Sequence, residues 1–220
     1  MILKSTAILS LFWACIIFAS SPKTVTHNSK VDFERGKLDN VTILHDGKIM
    51  PSPVIKKLID TGEPFIWSIA EDADGALYIA TGMDGQLYKV SAKGDTALFF
   101  DAPEMNIFAV AVDAKNNVYA ATSPEGQVYK INQSGESTSF FDPDAVFIWD
   151  LLIDAAGNVL VATGEKAAIH KVTPDGKSSV IFEGEENHVR TMIQVGGSIY
   201  AGTSSKGFIY RISPGEKPFV

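Results

Sequence analysis

Residues 66–90 read IWSIAEDADGALYIATGMDGQLYKV and residues 108–131 read FAVAVDAKNNVYAATSPEGQVYKI, and at a shift of 41 the two stretches carry the same punctuation. Working outward, Tyr78, Tyr119, Leu160 and Tyr200 fall at intervals of 41, 41 and 40 residues. Three residues before each stand Gly75, Asn116, Gly157 and Gly197, types that accept the left-handed backbone of a tight hairpin. Three residues after come Thr81, Thr122, Thr163 and Thr203, then a second column of Tyr88, Tyr129, His170 and Tyr210. A base follows each member of that column: Lys89, Lys130, Lys171 and Arg211. Asp72, Asp113 and Asp154 open the hairpins, and Gln194 breaks the series.

Self-similarity at this period marks propeller blades or solenoids. Between the landmarks lie short β-branched and aromatic runs bounded by Gly, Asp, Asn and Pro, which read as strands. In the first copy they are roughly Ile66 to Glu71, Ala76 to Thr81, Gln86 to Ser91 and Thr96 to Phe100. Four short strands per period make one propeller blade. Helical repeats need a 3.6-residue apolar rhythm, and a leucine-rich solenoid needs a shorter period; neither is present.

The two quoted stretches resemble blades of the NHL type and of the propeller repeats in two-component regulator sensors. From Phe33 to Val220 the chain is similar in style to exported bacterial β-propeller repeat proteins. The resemblance implies an all-β fold: a β-propeller of four-stranded antiparallel blades, about four present, forming an incomplete ring. The tryptophan-aspartate repeat family fits less well, because Trp149-Asp150 opens a strand instead of closing one and no Gly-His pair precedes it.

The remaining organisation follows from composition. Residues 1–21 read as a secretory signal, with Lys4, an apolar run from Ala7 to Ala19, and small residues for cleavage at Ala19-Ser20-Ser21. A lipoprotein reading at Cys15 meets bulky Phe12-Trp13 where small residues are needed. Residues 22–38 are expected to be a linker, and 39–64 to hold a partial, closing blade with strands at Val41 to Leu44 and Val54 to Ile59. The blades are expected at 65–106, 107–147, 148–188 and 189–220, the last cut short in its outer strand. Cys15 is the only cysteine, so the chain after residue 21 has no thiolate chemistry and no disulfide. Without Lys4 it carries 18 basic against 26 acidic side chains, a balance that argues against a nucleic-acid partner. A periplasmic or extracellular location is expected, with no membrane span in the mature chain.

In a propeller, the loops from second to third strand and from outer strand to the next blade gather on one face around the channel, the default ligand site. The inter-blade loops carry Asp60, Glu63, Asp101, Glu104, Asp142, Asp144, Glu183, Glu185 and Glu186, which predicts an acidic mouth. Trp67 and Trp149 stand at equivalent strand starts, with Phe108 and Val189 read as the other two members. The candidate binding face is therefore Trp67, Asp101, Glu104, Asp142, Asp144, Trp149 and Arg190. Carboxylates beside an imidazole can hold a divalent cation, so Glu183, Glu185 and His188 are candidate ligands. In this reading His188 aligns with Ile66, Ile107 and Ile148.

Asp72-Ala73-Asp74-Gly75 reads as a hairpin turn, since position twelve of a calcium loop would be Met83. The Thr column is expected to bond neighbouring backbone, and the Lys/Arg column to face solvent. No nucleophile elbow, phosphate loop, zinc motif or dinucleotide fingerprint occurs, and no catalytic residue or organic cofactor is indicated. These observations point to a binding or scaffold module recognising a peptide, glycan or protein. A metal-dependent hydrolase or lactonase, with ligands drawn from several blades, is the alternative, and a sensor domain of a longer signalling protein is a third reading.

Overall fold

The structure, a computed structural model, describes residues 36–53 and 56–220. The expected signal, most of the expected linker and the start of the Val54 to Ile59 run lie outside the described residues. Every regular element among them is a strand, and no helix is long and apolar enough to cross a membrane.

The described residues up to Lys56 belong to one unit, built on a hairpin of β1 (Val41–Ile43) and β2 (Ile49–Pro51). The expected partner of the first strand was Val54 to Ile59, but residues 56–59 carry no strand. The turn explains the change. Gly47 takes φ 82°, Asp46 accepts the Lys48 amide at 3.1 Å and Leu44 donates to the Lys48 carbonyl at 2.8 Å, which swings 49–51 directly opposite 41–43.

The second unit, from Lys57 onward, is the propeller. Its first blade is β3 (Ile66–Glu71), β4 (Leu77–Thr81), β5 (Gln86–Val90) and β6 (Thr96–Asp101), all antiparallel neighbours. The second is β7 (Asn106–Val112), β8 (Val118–Ser123), β9 (Val128–Ile131) and β10 (Ser137–Phe141). The third is β11 (Ile148–Ile153), β12 (Val159–Thr163), β13 (Ala168–Val172) and β14 (Ser178–Glu183). The fourth has β15 (His188–Val195), β16 (Ser198–Ser204) and β17 (Ile209–Ile212), with Phe219 bridged to Arg211 in the outer position. The first strand of each blade is innermost, since β3 packs on β7, β7 on β11 and β11 on β15.

Three interfaces of one build hold the blades together. Tyr78, Ala80, Leu87 and Phe100 of the first blade pack on Ile107, Val110 and Val118 of the second. Ala109, Tyr119 and Val128 repeat that face against Ile148, Leu151 and Val159, and Leu160, Ala162 and Ile169 against Val189, Met192 and Ile199. The covering is directional: Ile107, Ile148 and Val189 are 0% exposed beneath the preceding blade, whereas Ile66 is 52% exposed.

Local chemistry fixes each blade. The Thr column bonds backbone as expected, from Thr81 Oγ1 to the Gln86 carbonyl at 2.8 Å through Thr203 to that of Phe208 at 3.2 Å. The hairpin reading also stands: Asp72 Oδ1 accepts the Asp74 and Ala76 amides at 3.0 and 2.9 Å. The Lys/Arg column does not simply face solvent. Lys89 Nζ lies 5.1 Å from the centre of the Tyr78 ring, Lys130 Nζ 5.6 Å from that of Tyr119, and Lys171 pairs with Asp154 at 3.3 Å. A lysine stem lying along its own sheet reaches the tyrosine on the neighbouring strand, so the cation caps a ring instead of extending outward.

Candidate functional site

Every inner strand carries the same irregularity. Pairing shifts between Ile66 and Ser68, Ile107 and Ala109, Ile148 and Asp150, and Val189 and Thr191. Trp67, Phe108, Trp149 and Arg190 are thus the bulged residue of successive blades. A β-bulge bends its strand and re-aims a side chain. Here it does so four times at strand starts, beside the loops that form the channel mouth.

This register corrects the alignment read from sequence. Arg190, not Val189, completes the column, and Val189 joins the buried Ile107 and Ile148. His188 stands one place earlier, level with Phe65, Asn106 and Phe147. The slip has a cause: the fourth blade loses one residue in its first hairpin, where Val195 pairs with Ser198 across Gly196-Gly197, at φ 56° and 86°. Residues before that turn keep the 41-residue spacing, and only those after it shift to 40.

The bulged side chains touch in sequence. Phe65 stacks on Trp67 at 5.1 Å, Trp67 meets Phe108 edge-on at 5.1 Å, and Phe108 lies 4.9 Å from Trp149 at 27°. The Arg190 guanidinium carbon sits 3.6 Å from the centre of the Trp149 ring, and Phe147 stacks on the same indole at 4.9 Å. The result is an aromatic ledge with a cation at one end. At the other end Phe65, Trp67, Met83 and Met105 are all about half exposed, an adaptable apolar surface.

Two glycines seat the indoles. A Cβ at Gly82 would lie 2.2 Å from Trp67 Nε1, and one at Gly164 would lie 2.5 Å from Trp149 Nε1 and 2.3 Å from His188 Nδ1. Only glycine lets the rings lie against the backbone there. The Trp149 indole donates to His188 Nδ1 at 3.1 Å, and the Glu165 amide approaches the same nitrogen at 3.4 Å. Burial, then the adjacent Arg190 charge, holds the His188 imidazole below its ordinary pKa, with Glu165 opposing.

The acids do not converge on this ledge. Asp101, Asp142, Asp144, Glu183 and Glu185 are exposed on the rim, where Asp142 Oδ1 accepts the Asp144 amide at 2.8 Å. Glu104 and Glu186 turn inward to tyrosine hydroxyls: Tyr129 donates to Glu104 at 3.1 Å and Tyr210 to Glu186 at 3.0 Å. Glu104 Oε2 is buried without a partner, and burial together with the Glu104 charge pushes the Tyr129 pKa up to about 12. Among the described residues no group of three His, Cys, Asp or Glu side chains is placed to hold a metal. Glu183, Glu185 and His188 are therefore not brought together. The acidic mouth expected from the loops is an acidic rim around an aromatic and cationic ledge, because the bulges turn rings inward while the loop carboxylates stay in water or satisfy tyrosines.

Sequence reading missed Phe65, Phe147 and Gly164, and it counted Glu186 among the mouth acids without its tyrosine partner. The first two were legible as the residue two before each tryptophan, and the match of Glu186 to Glu104 from its place two repeats further on. In the third blade the tyrosine and glutamate positions change together, to His170 and Ala145, and a cleft of about 380 Å³ opens beside them, also lined by Lys166 and Glu183.

No family model and no curated protein sequence matches the chain. Its fold is similar to that of virginiamycin B lyase from Staphylococcus aureus, at 12% identity and a TM-score of 0.63 over 81% of this chain and 61% of that one. A streptogramin B lyase structure shares 13% identity at a TM-score of 0.65, over 73% and 55% of the two chains. A nidogen/laminin complex shares 13% identity at 0.64, over 70% and 63%. The chain thus spans about three fifths of the length of these propellers, and at such identities the likeness concerns the fold alone.

Proposed function

We propose that this protein is an exported binding module that holds an extended peptide segment of a protein partner against the ledge at its channel mouth. The supporting observation is the bulged column, which turns Trp67, Phe108, Trp149 and Arg190 toward the mouth in all four blades. Packing alone does not require a bulge at one position in every inner strand. A Trp67 ring that is 45% exposed also leaves apolar area for a ligand to cover. Large, rigid aromatic side chains beside an arginine are the residue types that dominate protein-recognition hot spots. The nidogen/laminin complex is a case of a similar fold in a protein assembly.

Trp67 and Trp149 are the only tryptophans after residue 21, so indole emission reports on the ledge directly. Titration with peptide pools is expected to shift or quench that emission, and Trp67→Ala to weaken binding by about 1–2 kcal/mol, the scale of an interface anchor. Peptide binding that ignores Trp67→Ala and Trp149→Phe together would place the site elsewhere and refute this reading.

A further inference from the structure

Arg190 is the one member of the bulged column that is not aromatic, and its charge is unanswered. The guanidinium is exposed, rests on Trp149 at 3.6 Å and makes no ion pair among the described residues, although Glu183 ends β14 and Glu185 and Glu186 lie in the loop that leads into its own strand. A guanidinium stacked on a ring keeps its planar fork of N–H donors free at the edge, a shape matched to a carboxylate.

His188 adds a second donor. Its Nδ1 accepts the Trp149 indole proton and so carries none itself, which in the neutral ring puts the proton on Nε2. Gly164 makes the arrangement possible, since any Cβ there would collide with both His188 Nδ1 and Trp149 Nε1. The first three blades have no cation in the column, and none has a histidine two positions before it. These features belong to the fourth blade alone.

We propose that Arg190 and His188 together recognise the C-terminal carboxylate of an extended peptide, with an apolar side chain about three residues upstream lying on Phe65 and Trp67. The inference rests on the peptide-binding reading of the mouth. Geometry sets the length: from Arg190 the ledge runs in successive steps of 3.6, 4.9 and 5.1 Å to Trp67. Laid end to end these steps set an upper bound on the span, which an extended chain covers in at most about four residues at ~3.4 Å each. Capture of a terminal carboxylate by fixed donors is an established mode of peptide recognition.

The test uses the purified protein and two pools of acetylated tetrapeptides with Phe first and mixed residues after it, one with free and one with amidated C-termini. The free-acid pool is expected to bind at least about tenfold tighter, the scale of charge-assisted hydrogen bonds. Arg190→Gln should erase most of that preference, and Arg190→Lys should keep part of it. Trp67→Ala should weaken both pools. Equal binding of the two pools, still sensitive to Trp67→Ala, overturns the carboxylate inference and leaves the ledge as a peptide site. Competition by excess acetate as strong as that by the free-acid pool would reveal a simple anion site and also overturn it. No response of indole emission to either pool overturns both the inference and the reading beneath it.

Discussion

The indole N–H of Trp149 and Nδ1 of His188 are 3.1 Å apart, a hydrogen bond that joins the third blade to the fourth at the channel mouth. It fixes the ring that carries Arg190 and the tautomer of the histidine beside it. Removing the acceptor with His188→Ala leaves a half-buried indole donor unpaired. The expected loss is about 1 kcal/mol in denaturant unfolding, with a red shift of Trp149 emission in a Trp67→Phe background. Unchanged emission would mean that the bond does not order the ring.

Acid should weaken the fold in the range where histidine titrates. Burial lowers the folded-state pKa of both His170 and His188, with Arg190 adding to the effect at His188 and Glu183 opposing it at His170. At high pH both rings are neutral, folded or unfolded, and cost nothing. As pH falls through about 6.5, the unfolded chain takes up protons first, so stability drops until the folded rings protonate as well. Unfolding midpoints should decline from about pH 7.5 to about pH 5, and the His170→Gln/His188→Gln pair should flatten that decline. A wild-type midpoint constant across this range would contradict the account.

Asp150 reaches across the same interface lower in the channel, its Oδ2 accepting the Met192 amide at 2.6 Å. Ser68 does the same for Val110 at 3.3 Å. Burial raises the Asp150 pKa despite that bond, so its contribution is greatest below the unfolded carboxyl pKa and is lost as pH rises through the folded value. Asp150→Asn keeps an acceptor and removes the charge, and should fall within about 1 kcal/mol of wild type at neutral pH. Asp150→Leu strands the Met192 amide and should cost about 1–3 kcal/mol. Equal effects of the two substitutions, measured by chemical denaturation, would show that the bond is immaterial.

The tyrosine–glutamate latch offers a test within a single chain. Tyr129 with Glu104, and Tyr210 with Glu186, close the gap between third strand and preceding loop, while His170 and Ala145 leave it open. A double-mutant cycle on A145E and H170Y should show favourable coupling of about 1 kcal/mol, because either change alone leaves a polar group without its partner. Strict additivity would mean that the latch holds nothing.

The repeat made the blade legible because hairpin glycines, the Thr column and the two aromatic columns each answer to backbone geometry that recurs every turn of the pattern. The bulge was not legible in that way. Nothing in IWSI or FAVA marks a residue as unpaired, and the side chains at those positions vary from Trp to Phe to Arg. Their common property is a register visible only once Thr81, Thr122, Thr163 and Thr203 are matched to their partners. The acids misled for a related reason: Asp101 at the end of β6 and Glu104 three residues on share a charge, but one is turned toward water and the other toward Tyr129.

The two-glycine hairpin of the fourth blade lies at the end of the sheet opposite the mouth, as antiparallel order requires of every first-to-second-strand turn. Insertions and deletions there change the spacing of the sequence without moving a single ledge residue. The repeat therefore divides its labour between a rim where length can drift and a rim where composition can. A blade of this kind can accumulate gaps and exchange Trp for Arg independently, so variation in ligand preference need not be bought with disorder in the sheet.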